Sequence, residues 1–411
     1  MMVNFYYTRP WILNRYSRGA IAAHLAPFSE FLAKRGYAYG TGQLYVREIG
    51  HLSRWLDRQE IDIATLSEET INTYLHFRKK GAHLKVKTGP YRQLLSYLRQ
   101  AGIIATQESI ETPLSQCIVQ YQEHLARNQG LAKETIRGRI RVARNFLSFQ
   151  FGEDSLELSD LLPRHVEQYF VNRSHHCDAS TLKTEATGLR CFLRFLQFRG
   201  HIPLELVDSV PAVHSWRHTI IPEFLTTEDI NSLIQHCECE TPRGRRDLAI
   251  LLLLIRLGLR AIEICRLTLD DIDWDVGFIK ILGKNSNRVR LPLLQDVGEA
   301  ISTYLCNGRP KCSTRYVFVR TIAPFDPFSS SCSVANVVHN ALRRADLKPL
   351  RKGSHLLRRS FATMMLQGGA SLTEIGQILR HQKADTTAIY AKVDLGRLRL
   401  MERQWPEGTN L

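Results

Sequence analysis

What this 411-residue chain lacks narrows its chemistry first. It has nine cysteines but no CxxC pair, so neither a zinc ribbon nor a disulfide framework is expected. Cys237 and Cys239 lie beside His236, and His175, His176 and Cys177 are adjacent. Neither group has a second matching pair, so both read as surface clusters and no metal is expected. Met1 to Leu13 has no continuous apolar core of signal-peptide type. The most apolar run, Leu248 to Leu259, is interrupted by Arg256 and falls short of the roughly 20 residues that span a bilayer. It reads as a buried helix, and reduced cysteines suit the cytoplasm. Acidic residues are scarce beside basic ones, 40 against 55, for a net charge of +15. Such a surplus suits a polyanionic partner, because Lys and Arg set against phosphates release condensed counterions. Hydrophobic residues at 44% and charged residues at 23% are the make-up of a globular protein.

The front half is duplicated. Phe28 to Gly36 resembles Tyr121 to Gly130, and Thr41 and Trp55 then fall opposite Thr135 and Phe149. Leu66 to Tyr74 matches Leu161 to Tyr169, and Leu94 to Gly102 matches Phe192 to Gly200. The offset widens from 93 to 98 residues, as small loop insertions would produce. Each copy reads as about four helices, from apolar positions at helical spacing such as Leu44, Ile49, Leu52, Trp55 and Leu56. Gly102 and Gly200 sit where helices stop, and Thr135 and Asp160 are plausible starters. The copies span residues 20–105 and 114–203. The second carries Lys133, Arg137, Arg139, Arg141 and Arg144 on one helix. That face is either solvated or turned to DNA.

Residues 204–223 contain Pro211 and Pro222 and read as an extended linker. Leu225 to Ile230 then opens a third region, 224–407, with a capping box whose N-cap is read as Thr227. Phe278 to Leu282 and Arg288 to Pro292 flank turn chemistry at Gly283 to Asn287, which predicts a β-hairpin among helices. The fold class is mainly α: two helical bundles, then a mixed α+β region with a small hairpin or sheet.

Five pieces of this third region stand out together. Gly258-Leu-Arg260-Ala-Ile-Glu263 closes the apolar helix, with Arg260 and Glu263 expected on one helix face. Lys284 lies in the hairpin turn. His355 and Arg358 are three apart on one helix. His381 follows, and then Tyr390, on a short helix for which Asp385 is the expected N-cap. Singly, each has an ordinary explanation: a salt bridge, a solvated lysine, a scaffold histidine, a core-edge tyrosine. The order and spacing R-x-x-E, K, H-x-x-R, H, Y resembles the tyrosine recombinase (phage integrase) family. Ile378 to Tyr390 looks like that family's final motif, and Leu282 to Leu293 is similar to its hairpin. Arg380 stands where glycine is common in the family, and Ile262 where a small polar residue is frequent. Neither departure removes a reactive group.

The resemblance implies site-specific DNA recombination. A SAM-like core-binding bundle, here doubled, would precede the catalytic domain. Tyr390 would attack phosphorus and form a 3′-phosphotyrosine. Arg260, Arg358 and His381 would bind the non-bridging oxygens, Lys284 would protonate the leaving oxygen, His355 would handle the tyrosine proton, and Glu263 would orient the site. No metal, ATP or other cofactor is implied. The partner would be double-stranded DNA, bound by a homo-oligomer, alone or beside companion recombinases, for a mobile element, phage or plasmid. Lys133, Arg137, Arg141 and Arg144 would face DNA. Leu395, Leu398, Met401 and Trp405 form an apolar stripe suited to packing within or between protomers. Two other readings use the same residues: a type IB topoisomerase that relaxes DNA, and a catalytically idle DNA-binding regulator with the same fold. The first copy either extends DNA contact or holds protomers together.

Overall fold

In a computed structural model of the chain, residues 6, 18–81, 88–104, 112–152, 157–203, 205–213, 222–283, 288–381 and 385–390 are described. The first repeat forms α1 (Ala22–Lys34), α2 (Tyr39–Arg58), α3 (Glu68–Gly81) and α4 (Gly89–Gln100). The second forms α5 (Pro113–Glu123), α6 (Lys133–Phe151), α7 (Pro163–Ser174) and α8 (Ala179–Phe198). Each bundle surrounds its own apolar core.

The duplication extends to packing. Trp55 meets Tyr74 at 5.3 Å between ring centroids, and the matching Phe149 meets Tyr169 at 5.7 Å. Arg78 pairs with Glu48, and the matching Arg173 pairs with Glu185 at 2.5 Å. The carboxylates come from different helices, α2 in one copy and α8 in the other. The fixed feature is a buried tyrosine with an arginine one turn later. Gly102 and Gly200 each take a left-handed φ just past the last helical turn, at +68° and +75°. There they let following N–H groups reach the helix's last free carbonyls.

Two expected helix starts move. Thr135 lies inside α6, which begins at Lys133 with Ala132 as its cap. Asp160 belongs to a short 3₁₀ turn, and α7 begins at Pro163, whose missing N–H costs nothing in a first turn. The expected linker is partly packed. Glu205–Asp208 is helical (α9), and Leu206, Val207 and Val210 complete the second bundle's core.

By contacts the chain forms two compact units. One is Ala105–Thr219, which holds the second bundle; the other joins Met1–Ile104 with Ile220–Leu411. Within the latter, the first bundle packs on the region after the linker. The Phe325 ring occupies the space that a Cβ on Gly36 would need, 2.3 Å away, and Ala323 packs on the first bundle's core.

The third region begins with α10 (Thr227–Gln235). Its N-cap is Thr226, one residue before the expected Thr227. Three residues after Thr226 comes Asp229, whose carboxylate accepts the Thr226 N–H at 3.1 Å; three after Thr227 comes apolar Ile230. The apolar run forms α11 (Pro242–Arg256), buried along most of its length. After α12 (Ala261–Arg266), strands β1 (Ile272–Asp273), β2 (Phe278–Leu282) and β3 (Arg288–Pro292) make an antiparallel sheet in that order. The expected strands pair antiparallel, with Lys280 opposite Arg290; β1 was too short to read. Helices α13 (Gln295–Asn307), α14 (Ser331–Arg344), α15 (Ser354–Gln367), α16 (Leu372–Ile378) and α17 (Asp385–Ala388) follow. Leu225 is tied to α15 by its N–H, which donates to the buried Ser360 hydroxyl at 2.8 Å.

Gly258 ends the α11 segment with φ at +56°. A Cβ there would lie 2.6 Å from the Phe361 ring and 2.8 Å from Leu379. Gly258→Ala therefore combines left-handed strain with overpacking and should cost about 2 kcal/mol or more in urea unfolding. A loss below about 0.5 kcal/mol would show that neither constraint operates.

Candidate active site

Because Gly258 turns the chain, Arg260 and Glu263 do not close the apolar helix as expected. Arg260 is instead the N-cap residue of α12, in extended backbone, with Glu263 in the first turn. The pair still forms. Glu263 Oε1 accepts from Arg260 Nη1 at 2.8 Å, and Oε2 accepts the Arg260 backbone N–H at 2.8 Å. Glu263 is fully enclosed, while Arg260 keeps part of its side chain open.

His355 and Arg358 lie three residues apart near the start of α15, His355 exposed and Arg358 buried. Arg358 is buried, and among the described residues no carboxylate pairs with it. Its Nη1 donates to the Gly258 carbonyl and its Nη2 to the Leu379 carbonyl. Burial, then the Arg260 and Arg380 cations, push its pKa down to about 9, so it stays protonated at neutral pH. His355 lies at the exposed edge of α15. Lost hydration on its protein side comes first, then Arg358, Arg359 and Arg260; together they lower its pKa and favour neutral imidazole.

The end of α16 assembles the rest. The Arg380 N–H donates to the Gln377 carbonyl and the His381 N–H to that of Gly376, both at 2.9 Å. This closes the helix through a left-handed residue, Arg380, at φ +57°. The next carbonyls along the turn hold the two arginines. Leu379 accepts from Arg358, and Arg380 accepts from Arg260 Nη2 at 3.0 Å. The same turn puts His381 at the site, with Nδ1 2.7 Å from the hydroxyl of buried Thr387 on α17. Burial, then Arg358, Arg260 and Arg380, lower the His381 pKa to about 4.

Tyr390 is buried at 3% exposure and packs with Ala362, Leu366, Ile375 and Leu379. Burial raises its pKa, against the opposing pull of Arg358 and Arg359. It is thus both a packing residue and a phenol held near a buried cation. The structure brings Arg260, Glu263, Arg358 and His381 into one network and sets Tyr390 and His355 in the field of its arginines. Lys284 lies outside the described residues, as do Leu395, Leu398, Met401 and Trp405.

Lys133, Arg137, Arg141 and Arg144 are exposed along α6, and the opposite side buries Val142, Phe146 and Leu147. Arg139 departs from that row: it bonds Gln129 at 3.1 Å and approaches the Cys191 sulfur. All nine cysteines are free, and among the described residues no three His, Cys, Asp or Glu side chains form a metal-binding group. No helix among the described residues is long and apolar enough to cross a membrane. Sequence reasoning missed Thr387, the Arg380 side chain and the three carbonyls. Only Arg380 carried a signal, as an arginine at a position where glycine is common.

Known proteins are similar to the chain in sequence and fold. Residues 223–397 match the model of the phage integrase family. A putative integrase/recombinase, y4rA, from Sinorhizobium fredii is 35% identical over 98% of this chain and 99% of its own. The tyrosine recombinase XerD of Halalkalibacterium halodurans is 28% identical over 66% of this chain and 91% of its own. A crystal structure of a lambda integrase dimer bound to a COC′ core site shares the fold, with a TM-score of 0.52 and 16% identity over 77% of this chain and 88% of that one. The chain therefore belongs to the phage integrase family, the tyrosine recombinases.

Proposed function

We propose that Tyr390 is the nucleophile of this site-specific DNA recombinase, and that Arg260, Arg358 and His381 receive the phosphate it attacks. The observation that carries the reading is Arg358. A buried guanidinium with carbonyls as its described partners retains its full positive charge, and a buried charge calls for an opposite one. Two of its five N–H groups go to carbonyls, which leaves donors for the non-bridging oxygens of a phosphodiester.

The step follows from these placements. The Tyr390 oxygen bonds to phosphorus, the bond from phosphorus to the 5′-oxygen breaks, and a 3′-phosphotyrosine forms. Neutral His355 accepts the phenolic proton, and Lys284 supplies a proton to the departing 5′-oxygen. Negative charge gathers on the non-bridging oxygens in the transition state, where Arg260, Arg358 and His381 oppose it. His381 is neutral, so its tautomer matters. If the Thr387 hydroxyl donates to Nδ1, the ring's proton sits on Nε2, free to donate to phosphate. The reverse step, with a new 5′-hydroxyl as nucleophile, rejoins the strand without an external energy source.

The chain works as a homo-oligomer on double-stranded DNA, in the cytoplasm, moving or resolving a mobile element. Lys133, Arg137, Arg141 and Arg144 contact phosphates, supported by their common exposed row on α6. Replacing those four with Ala should lower the salt slope of duplex binding by about 3 to 4. An unchanged slope would move the interface elsewhere.

The chemistry is tested by incubating the full chain with sheared DNA carrying its own gene and flanks, then recovering covalent protein–DNA adducts and sequencing them. The parent chain should enrich one short sequence. Tyr390→Phe should bind that duplex equally well and yield no adduct. An adduct that survives Tyr390→Phe would remove Tyr390 from the role.

A further inference from the structure

The chain closes several helices with a left-handed residue, which is glycine at Gly36, Gly102, Gly200 and Gly369 and an exposed acidic residue at Glu60 and Asp346. Glycine adopts this backbone freely, whereas a side chain adopts it at a cost. The end of α16 has the same hydrogen-bond pattern, yet Arg380 stands there, beside the reactive groups. Its side chain is nearly enclosed, at 9% exposure. Nη2 donates to Glu263 Oε2 at 2.9 Å and Nη1 to the Ile378 carbonyl at 3.1 Å, while buried Nε has no hydrogen-bond partner among the described residues. Glu263 thus serves two arginines: Oε1 holds the Arg260 guanidinium, and Oε2 is shared between the Arg260 backbone and Arg380.

We infer that Arg380 is a positioning residue for strand transfer, one that divides Glu263 with Arg260 and raises the positive charge facing the reacting phosphate. The inference rests on the assignment of Arg260 and Arg358 to that phosphate. Without Arg380, two arginines face one carboxylate, and Glu263 draws charge from Arg260 alone. With it, the cluster holds three arginines, two of them on Glu263, and its net charge rises from one to two. A phosphodiester carries one negative charge at rest and gathers a second on its non-bridging oxygens as the nucleophile arrives. The added cation therefore favours the transition state over the bound substrate. Arg380 acts through Glu263 and through the field.

The experiment measures single-turnover adduct formation by the full chain on the duplex recovered above, with Kd measured separately. Arg380→Gly relieves the backbone and removes the cation. It should melt no lower than the parent, keep Kd within about 3-fold and form adduct about 10- to 100-fold more slowly. A merely structural Arg380 predicts the reverse, a glycine variant as fast as the parent, and that result would overturn the inference. Arg380→Lys and Arg380→Gln share the left-handed strain and differ in charge. Lysine faster than glutamine supports the inference even if glycine perturbs folding, and equal rates overturn it. Tyr390→Phe run alongside separates the two ideas. Adduct formation by that variant would fail the underlying assignment, whereas loss of adduct there with an unchanged Arg380→Gly rate would fail this inference alone.

Discussion

Two peptide carbonyls at the end of α16 hold the site together. Leu379 and Arg380 present successive oxygens to Arg358 and Arg260, which lie 98 residues apart in sequence on different helices. A carboxylate in place of the Leu379 carbonyl would have fixed Arg358 as firmly but offset its charge, as Glu263 does for Arg260. A carbonyl fixes a guanidinium through its dipole and leaves its net charge for a ligand. The same turn aims His381, and Leu379 packs beside Tyr390 in the small core beneath. Gly258 completes the arrangement: its carbonyl takes the other arm of Arg358, and its missing Cβ lets Phe361 and Leu379 close over it.

Tyr390 sits in this frame at a compromise between packing and reactivity. Its burial disfavours the phenolate, and the nearby arginines partly restore it. Both histidines are likewise held neutral by burial and by those arginines. Neutral imidazoles can accept or pass a proton, while permanent charge is left to guanidinium groups, which do not titrate in the working range. The division of labour follows from where each residue type was placed.

The sequence made the side-chain inventory legible but not its acceptors. Arg260, Glu263, His355, Arg358, His381 and Tyr390 could be read in order, and the hairpin and duplication followed from period and spacing. The helix to which Arg260 belongs could not, because a single glycine moved it from the end of α11 to the cap of α12. The carbonyl partners were invisible, since every residue carries one and only the fold selects which are free. Thr226 displaced Thr227 by one residue because the capping carboxylate, Asp229, sets the register. Arg380 was visible as an oddity, but its meaning needed the left-handed backbone and the path to Glu263. In the front half, Tyr74 and Tyr169 were matched by the repeat, whereas their arginines and the exchange of Glu48 for Glu185 required the packing itself.

The central claim is that the charge-bearing arginines serve a phosphate that Tyr390 takes onto itself. Tandem mass spectrometry of the nuclease-trimmed adduct, with the chemistry of the released DNA end determined alongside, tests it most directly. The account predicts a 3′-phosphonucleotide on the peptide carrying Tyr390, and a free 5′-hydroxyl on the other strand end. A nucleotide on any other residue, or a 5′-phosphate left on the released end, would contradict it.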